Sequence, residues 1–311
     1  MKKTYPILIL IAISVAIIIG FIFLVPKKNP NQEQTNKITV ITTIYPLKEF
    51  IQAVGGDLVE VENITPAGAE PHEFEPSPKD IAKILSADLF IYNGAGLDLW
   101  VERLKGDLEK NNVRYLNMSS FVELRGLSSN NSGNPLSKDP HFWLDPTIAQ
   151  TEVKMIREVL LEIDPPNAMI YAQNTDNYLA KLAELDNNFT SKLSNCTLHK
   201  AITSHAAFNY LGAKYGIEFL SISGISPELE PSPSRIAELT DLARKEGIKY
   251  IFFETSVNPR LAQTIANEAG LGTLELNPLD SPSKNQIKAG ATYLSEMQKN
   301  LENLHKALLC Q

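Results

Sequence analysis

Apolar positions along this chain fall into short blocks whose period alternates between two and about 3.6. "KITVITTI", from Lys37, is a β-branched run that reads as a strand. "YPLKEFIQAVGG" has helical spacing and stops at glycine, and "DLVEVENIT" alternates. "KDIAKILSADL" is helical again, and "FIYNG" is a short strand ending in a turn. The same order returns later: "KAITSH" as strand, "AAFNYLGAKYG" as helix, "IEFLSIS" as strand, "IAELTDLARKEG" as helix and "YIFFET" as strand. Repeated β-α-β units of this kind build mostly parallel sheets. The expected fold class is therefore α/β, with two similar lobes whose mostly parallel sheets are flanked by helices.

Two further patterns support the duplication. The loops "PAGAEPHEFEPSPKD" and "GISPELEPSPSR" both contain Glu-Pro-Ser-Pro, at Glu75 to Pro78 and at Glu230 to Pro233. In each, serine suits a helix N-cap and the second proline suits the first helical position, where a missing N–H does no harm. Asp80 completes a capping-box-like start in the first copy. Between the lobes, "DPTIAQTEVKMIREVLLEID" reads as one helix halted by Pro165 and Pro166. Tyr178, Leu182, Leu185, Phe189 and Leu193 then form a stripe on a second. A helix from Asn167 to Leu193 would be about 40 Å long, enough for a rigid spine between lobes; a surface helix within one lobe is the plainer alternative. The expected division is 38–165 for the N-terminal lobe, 166–195 for the connecting helix and 196–311 for the C-terminal lobe.

The first residues stand apart. Ile7 to Val25 is an uninterrupted apolar run that would span roughly 28 Å as a helix, close to a bilayer core. It lacks an Ala-x-Ala-like site or a cysteine for lipid, so residues 1–26 are expected to be a membrane anchor, with a cleaved signal as the alternative, followed by a linker at 27–37. Removing residues 1–28 takes away four lysines and no acid, so a formal charge of −7 becomes −11 in the remainder. Such a chain lacks the basic face that nucleic acid requires. Its two cysteines, Cys196 and Cys310, would in an exported protein tie the start of the second lobe to the chain end; two unrelated thiols are the alternative. Asn63-Ile-Thr is an acceptor-like triplet for glycosylation.

Of five histidines, His199 and His305 have no distinctive setting. His72 and His141 lie in loops of the first lobe, in "EPHEF" and "DPHFWLDP". His205 ends the strand "AITSH", and Asp280 follows the last strand in "LELNPLDSP". All four fall at or near the carboxyl ends of strands, where open parallel sheets bind ligands. Singly, each is a turn histidine or a capping aspartate. Jointly, three imidazoles and a carboxylate match a four-coordinate zinc site.

With "GAEPHEFEPSPKDI", "DPHFWLDP", "SHAAFNYLGAKYGI", "GISPELEPSPSRI", "FFETSVNPRLAQTIANEAG" and "LNPLD", the sequence resembles the metal-binding receptors of zinc and manganese ABC importers, most closely the zinc type. The resemblance spans essentially everything after the linker. It implies two α/β lobes joined by a rigid helix, with the ion in the interlobe cleft on His72, His141, His205 and Asp280. It also implies an extracytoplasmic, monomeric receptor that hands Zn²⁺ to a membrane permease and is not an enzyme. His205 favours zinc, since manganese tolerates more oxygen ligands, although Mn²⁺ or iron remains an alternative cargo. A zinc hydrolase and a surface adhesin are the rival readings; a fourth protein ligand at Asp280 would close the position a catalytic water needs. Glu254 in "FFETS" is expected to orient an imidazole rather than to ligate. The sequence departs from many zinc receptors at Leu124 to Pro140, a loop mobile by composition, which holds no histidine.

Overall fold

The run Ile38–Thr42 forms strand β1, with Ile38, Val40 and Ile41 buried. It lies parallel to β2 (Val59–Asn63) on one side and β3 (Leu89–Tyr92) on the other, and β4 (Arg114–Asn117) extends the sheet beyond β3. The sheet order is β2-β1-β3-β4. A second sheet of β5 (Lys200–Thr203), β6 (Glu218–Ser221), β7 (Tyr250–Phe253) and β8 (Gly272–Glu275) repeats it as β6-β5-β7-β8, again all parallel. The computed structural model describes residues 37–126, 138–227, 230–254 and 260–311. Two lobes of equivalent topology are thus present, as the sequence pattern predicts.

Helices follow the expected blocks. α1 (Tyr45–Gly55) connects β1 to β2, and α2 (Pro78–Leu85) starts at Ser77 with a full capping box to Asp80. Its counterpart, the helix at Pro233–Glu246, starts at Ser232 in the same way. There Arg235 replaces the acid, and its guanidinium donates to the carbonyl of Ser221 at 2.8 Å, tying the helix start to the end of β6. The helix expected from Ala206 begins only at Asn209 and runs to Tyr215, and the Ala206 N–H donates to the Gly224 carbonyl at 2.9 Å.

The two long helices are Pro146–Ile163, capped by Asp145, and the spine Ala168–Leu193, which is 26 residues long. Of the predicted stripe, Leu182, Leu185, Phe189 and Leu193 are buried and Tyr178 is half-buried, and Tyr171 and Thr175 extend it. The spine touches both lobes. Asn174 donates to the Val54 carbonyl of α1 at 2.9 Å, while Phe189 stacks on Tyr215 at 5.0 Å and Tyr215 donates to Asp186 at 2.8 Å. One apolar cluster consequently runs from Val40 and Phe50 through Leu182 and Phe189 to Phe208 and Leu301. Smaller clusters cover the outer faces, around Phe90 and Trp100 in one lobe and Ile202 and Leu239 in the other.

The C-terminal helix Tyr293–Ala307 closes this shared core, with Tyr293 edge-on to Phe50 at 4.8 Å. Cys196 and Cys310 form a disulfide, so the bridge from the second lobe's start to the chain end is present. The Asn63 side chain accepts from the Thr42 hydroxyl and donates to the Thr65 carbonyl, which gives the acceptor-like triplet a structural use. The expected anchor, Ile7 to Val25, lies outside the described residues, as does the middle of the Leu124 to Pro140 loop. Among the described residues no helix is long and apolar enough to cross a membrane.

Candidate metal centre

His72, His141 and His205 converge. His72 sits in a single turn, Pro71–Glu73, after β2. His141 immediately precedes the turn Phe142–Leu144, and His205 follows β5. Nε2 of His141 lies 3.1 Å from Nε2 of His72 and 3.3 Å from Nε2 of His205. A tetrahedral ion with nitrogen ligands at ~2.0–2.1 Å needs ligand–ligand edges of about 3.3–3.4 Å. His141 and His205 are fully buried.

The far side of each buried ring is held by a carboxylate. Asp139 Oδ1 lies 2.9 Å from Nδ1 of His141, and Glu254 Oε1 lies 2.7 Å from Nδ1 of His205. When Nδ1–H donates to these oxygens, Nε2 presents a lone pair inward. Two lone pairs facing each other at 3.3 Å repel unless a cation or a proton lies between them. Glu254 thus has the orienting place expected of it. Its second oxygen, Oε2, is buried without a hydrogen-bond partner.

Asp139 is a further residue of the centre, not singled out from the sequence. The second lobe holds it: Asn209 donates to its Oδ2 at 2.8 Å and Tyr210 donates to its carbonyl at 3.0 Å. Glu70, a possible general base only in the hydrolase reading, also belongs to the centre; its Oε1 accepts the His72 N–H at 3.2 Å. A signal existed for both. Each first-lobe histidine is the third residue of an acid-Pro-His triplet, Glu70-Pro-His72 and Asp139-Pro-His141, and in each the acid accepts the histidine's own N–H.

Asp280 is buried nearby, but the group of converging ligand atoms, all within 4.8 Å of one another, comprises the three histidines alone among the described residues. Its backbone carbonyl accepts the Tyr45 N–H at 3.1 Å. His199 and His305 lie outside the group.

Charge balances unevenly over the centre. Burial, and then the charges of His141 and His205, push His72 well below the ordinary imidazole range. Burial also pulls His205 down, but the Glu254 charge and hydrogen bond, with Asp280 and Glu70 behind them, lift it to about 9. Burial and then the Asp280 charge raise Glu70 to about 8, and burial raises Asp280 itself.

Fold and site together define a two-lobed α/β protein with three converging histidines at strand ends that could hold a metal ion. The chain belongs to the family of zinc-uptake complex component A, periplasmic (ZnuA), which matches residues 40–307. It is 39% identical over 291 residues to the zinc-binding lipoprotein AdcA of Streptococcus pneumoniae, a match covering 91% of this chain and 58% of that protein. The chain therefore spans little more than half the length of that relative. The high-affinity zinc uptake system protein ZnuA of Bacillus subtilis is 34% identical over 91% of both chains. The Zn(II)-bound ZnuA-like domain of S. pneumoniae AdcA superposes with a TM-score of 0.77 at 40% identity, covering 88% of this chain and 99% of that domain.

Proposed function

We propose that this chain is an extracytoplasmic receptor that captures Zn²⁺ and delivers it to an ABC permease for import. The observation that carries the reading is the set of Nε2 separations, 3.1 and 3.3 Å, close to the edges of a tetrahedral zinc site. Three imidazoles suit zinc better than manganese, which tolerates more oxygen. Asp280 is the fourth ligand in this reading: it is buried beside the centre and lies on the segment that follows β8. The protein acts as a monomeric receptor rather than an enzyme, with the three histidines and Asp280 enclosing the ion instead of leaving a place for a reactive water. The N-terminal apolar run tethers it to the membrane in which the permease resides.

Elemental analysis of protein purified without added metal, followed by competition titration, tests the assignment. Zinc should bind one to one. His205→Ala should weaken it by orders of magnitude, and an unchanged affinity in that variant would sink the site.

A further inference from the structure

The segment Asn277 to Ser281, which carries Asp280, is bound at both ends to different parts of the molecule. At Asn277 it is fixed to the C-terminal helix: its N–H donates to Asn300 Oδ1 at 2.8 Å, and Asn300 Nδ2 donates to its carbonyl at 2.7 Å. From Pro278 on it is fixed to the first lobe. Trp143 Nε1 donates to the Pro278 carbonyl at 2.8 Å, and Tyr45 N–H donates to the Asp280 carbonyl at 3.1 Å. The buried Ser281 hydroxyl accepts the Gly68 N–H at 3.0 Å and donates to the Pro66 carbonyl at 3.1 Å. Pro66 to Gly68 belongs to the loop that leads into His72. One hydroxyl therefore joins the loop of a first-lobe ligand to the residue next to Asp280.

Backbone strain lies on the same segment. Leu279 is buried with φ of +64°, a left-handed conformation unfavourable for a branched side chain. Such conformations persist only where surrounding contacts hold them, and they relax when those contacts go. Gly68, at φ of +79°, takes its left-handed conformation without such a penalty. Leu279 N–H donates to the Asn277 side chain at 2.8 Å, so the strain is held from the Asn277 end of the segment while Ser281 holds the other end.

We propose that the Ser281 hydroxyl is a latch that sets how fast bound zinc is released, by keeping Asp280 and the His72 loop together. This rests on the reading of Asp280 as a ligand. Ser281 is a positioning residue and does not touch the ion. While its two hydrogen bonds hold, Asp280 stays over the histidines. When they break, the Leu279 strain favours movement of Asp280 away, leaving the three imidazoles as the remaining ligands.

The test is stopped-flow transfer of zinc from the full chain to a chromophoric chelator, with the association rate measured separately. Loss of two neutral hydrogen bonds predicts a release rate roughly tenfold faster in Ser281→Ala, with the association rate unchanged. A release rate in Ser281→Ala equal to the parent's overturns the latch, as does a loss of affinity residing wholly in slower association. Asp280→Asn and His205→Ala separate the two ideas. If both bind and release zinc as the parent does, the metal site itself is wrong; if they fail while Ser281→Ala behaves as the parent, only the latch falls.

Discussion

Replacing Glu254 by glutamine should remove one proton from the zinc-binding reaction. His205 is held at about 9 because the Glu254 carboxylate, 2.7 Å from its Nδ1, outweighs the burial that would otherwise pull it down. At pH 7 such a ring is roughly 99% protonated, whereas a metal requires a bare nitrogen. Zinc must therefore expel about one proton from His205, at a cost of about 3 kcal/mol at pH 7. The sign follows: affinity climbs about tenfold per pH unit on this account and levels off above about pH 9. In Glu254→Gln the amide oxygen can still accept Nδ1–H, but the charge is gone, burial prevails and the ring is neutral at pH 7. Calorimetric titration in buffers of different ionisation enthalpy should then count one proton fewer per zinc than in the parent. The difference is the relevant quantity, because Glu70, raised to about 8, also titrates beside the centre. Above pH 9 the variant should bind about 10–100-fold more weakly, having lost the carboxylate that holds the ring. Equal proton counts in the two proteins would refute the reasoning.

Three further outcomes follow from the packing. The Cys196–Cys310 bridge spans 114 positions, so the double change Cys196→Ser/Cys310→Ser should cost about 4–5 kcal/mol on the chain-entropy account. That loss should show as a lower denaturant midpoint with one zinc still bound, and coincident midpoints would refute it. Glu152 is buried with neither carboxylate oxygen hydrogen-bonded, and burial pushes it well above the ordinary carboxylate range. A raised folded value means its contribution is greatest in acid and is lost as pH rises toward that value. Glu152→Met should flatten this decline and add about 1–3 kcal/mol at pH 7, which urea melts at pH 5 and 8 would detect; an unchanged pH slope would count against it. Phe189→Ala should cost about 3–5 kcal/mol and still melt in one step, by tryptophan fluorescence from the first lobe and by circular dichroism from both. Separate transitions would show that the lobes do not share a core.

The elements were legible because periodicity reports which face of a segment is apolar. β1, α1 and the spine stripe at Leu182, Leu185 and Phe189 follow it directly, and the paired serine caps fix two helix starts. The three histidines were legible for another reason: parallel topology sends strand ends to one edge, and His72, His141 and His205 lie at or near such ends. Periodicity does not say what covers an apolar face. Phe50 meets Tyr293 across 243 positions, and nothing local in either segment announces the other. Asp139 was passed over because an acid two residues before a histidine in a proline-bounded loop has no period. Its role depends on Asn209 and Tyr210 arriving from the second lobe. Asp280 was a candidate by its place after the last strand, and the resemblance to known receptors named it a ligand; its position in space depends on a left-handed leucine and on contacts of its segment with four other parts of the chain.

The shared core also bears on the order in which the molecule can be completed. A chain made from its N-terminus has every residue of the first sheet, both acid-Pro-His triplets and the spine before the second lobe exists. Phe50 nevertheless waits for Tyr293, and Asp139 waits for Asn209 and Tyr210. The segment of Asp280 and Ser281 is made after every histidine of the centre, and Cys310 follows later still. An unfinished chain therefore carries two of the three histidines without the contacts that aim them. Tight capture of metal becomes a property of the finished molecule, and a truncated product lacking the last helix should be a poor competitor for zinc.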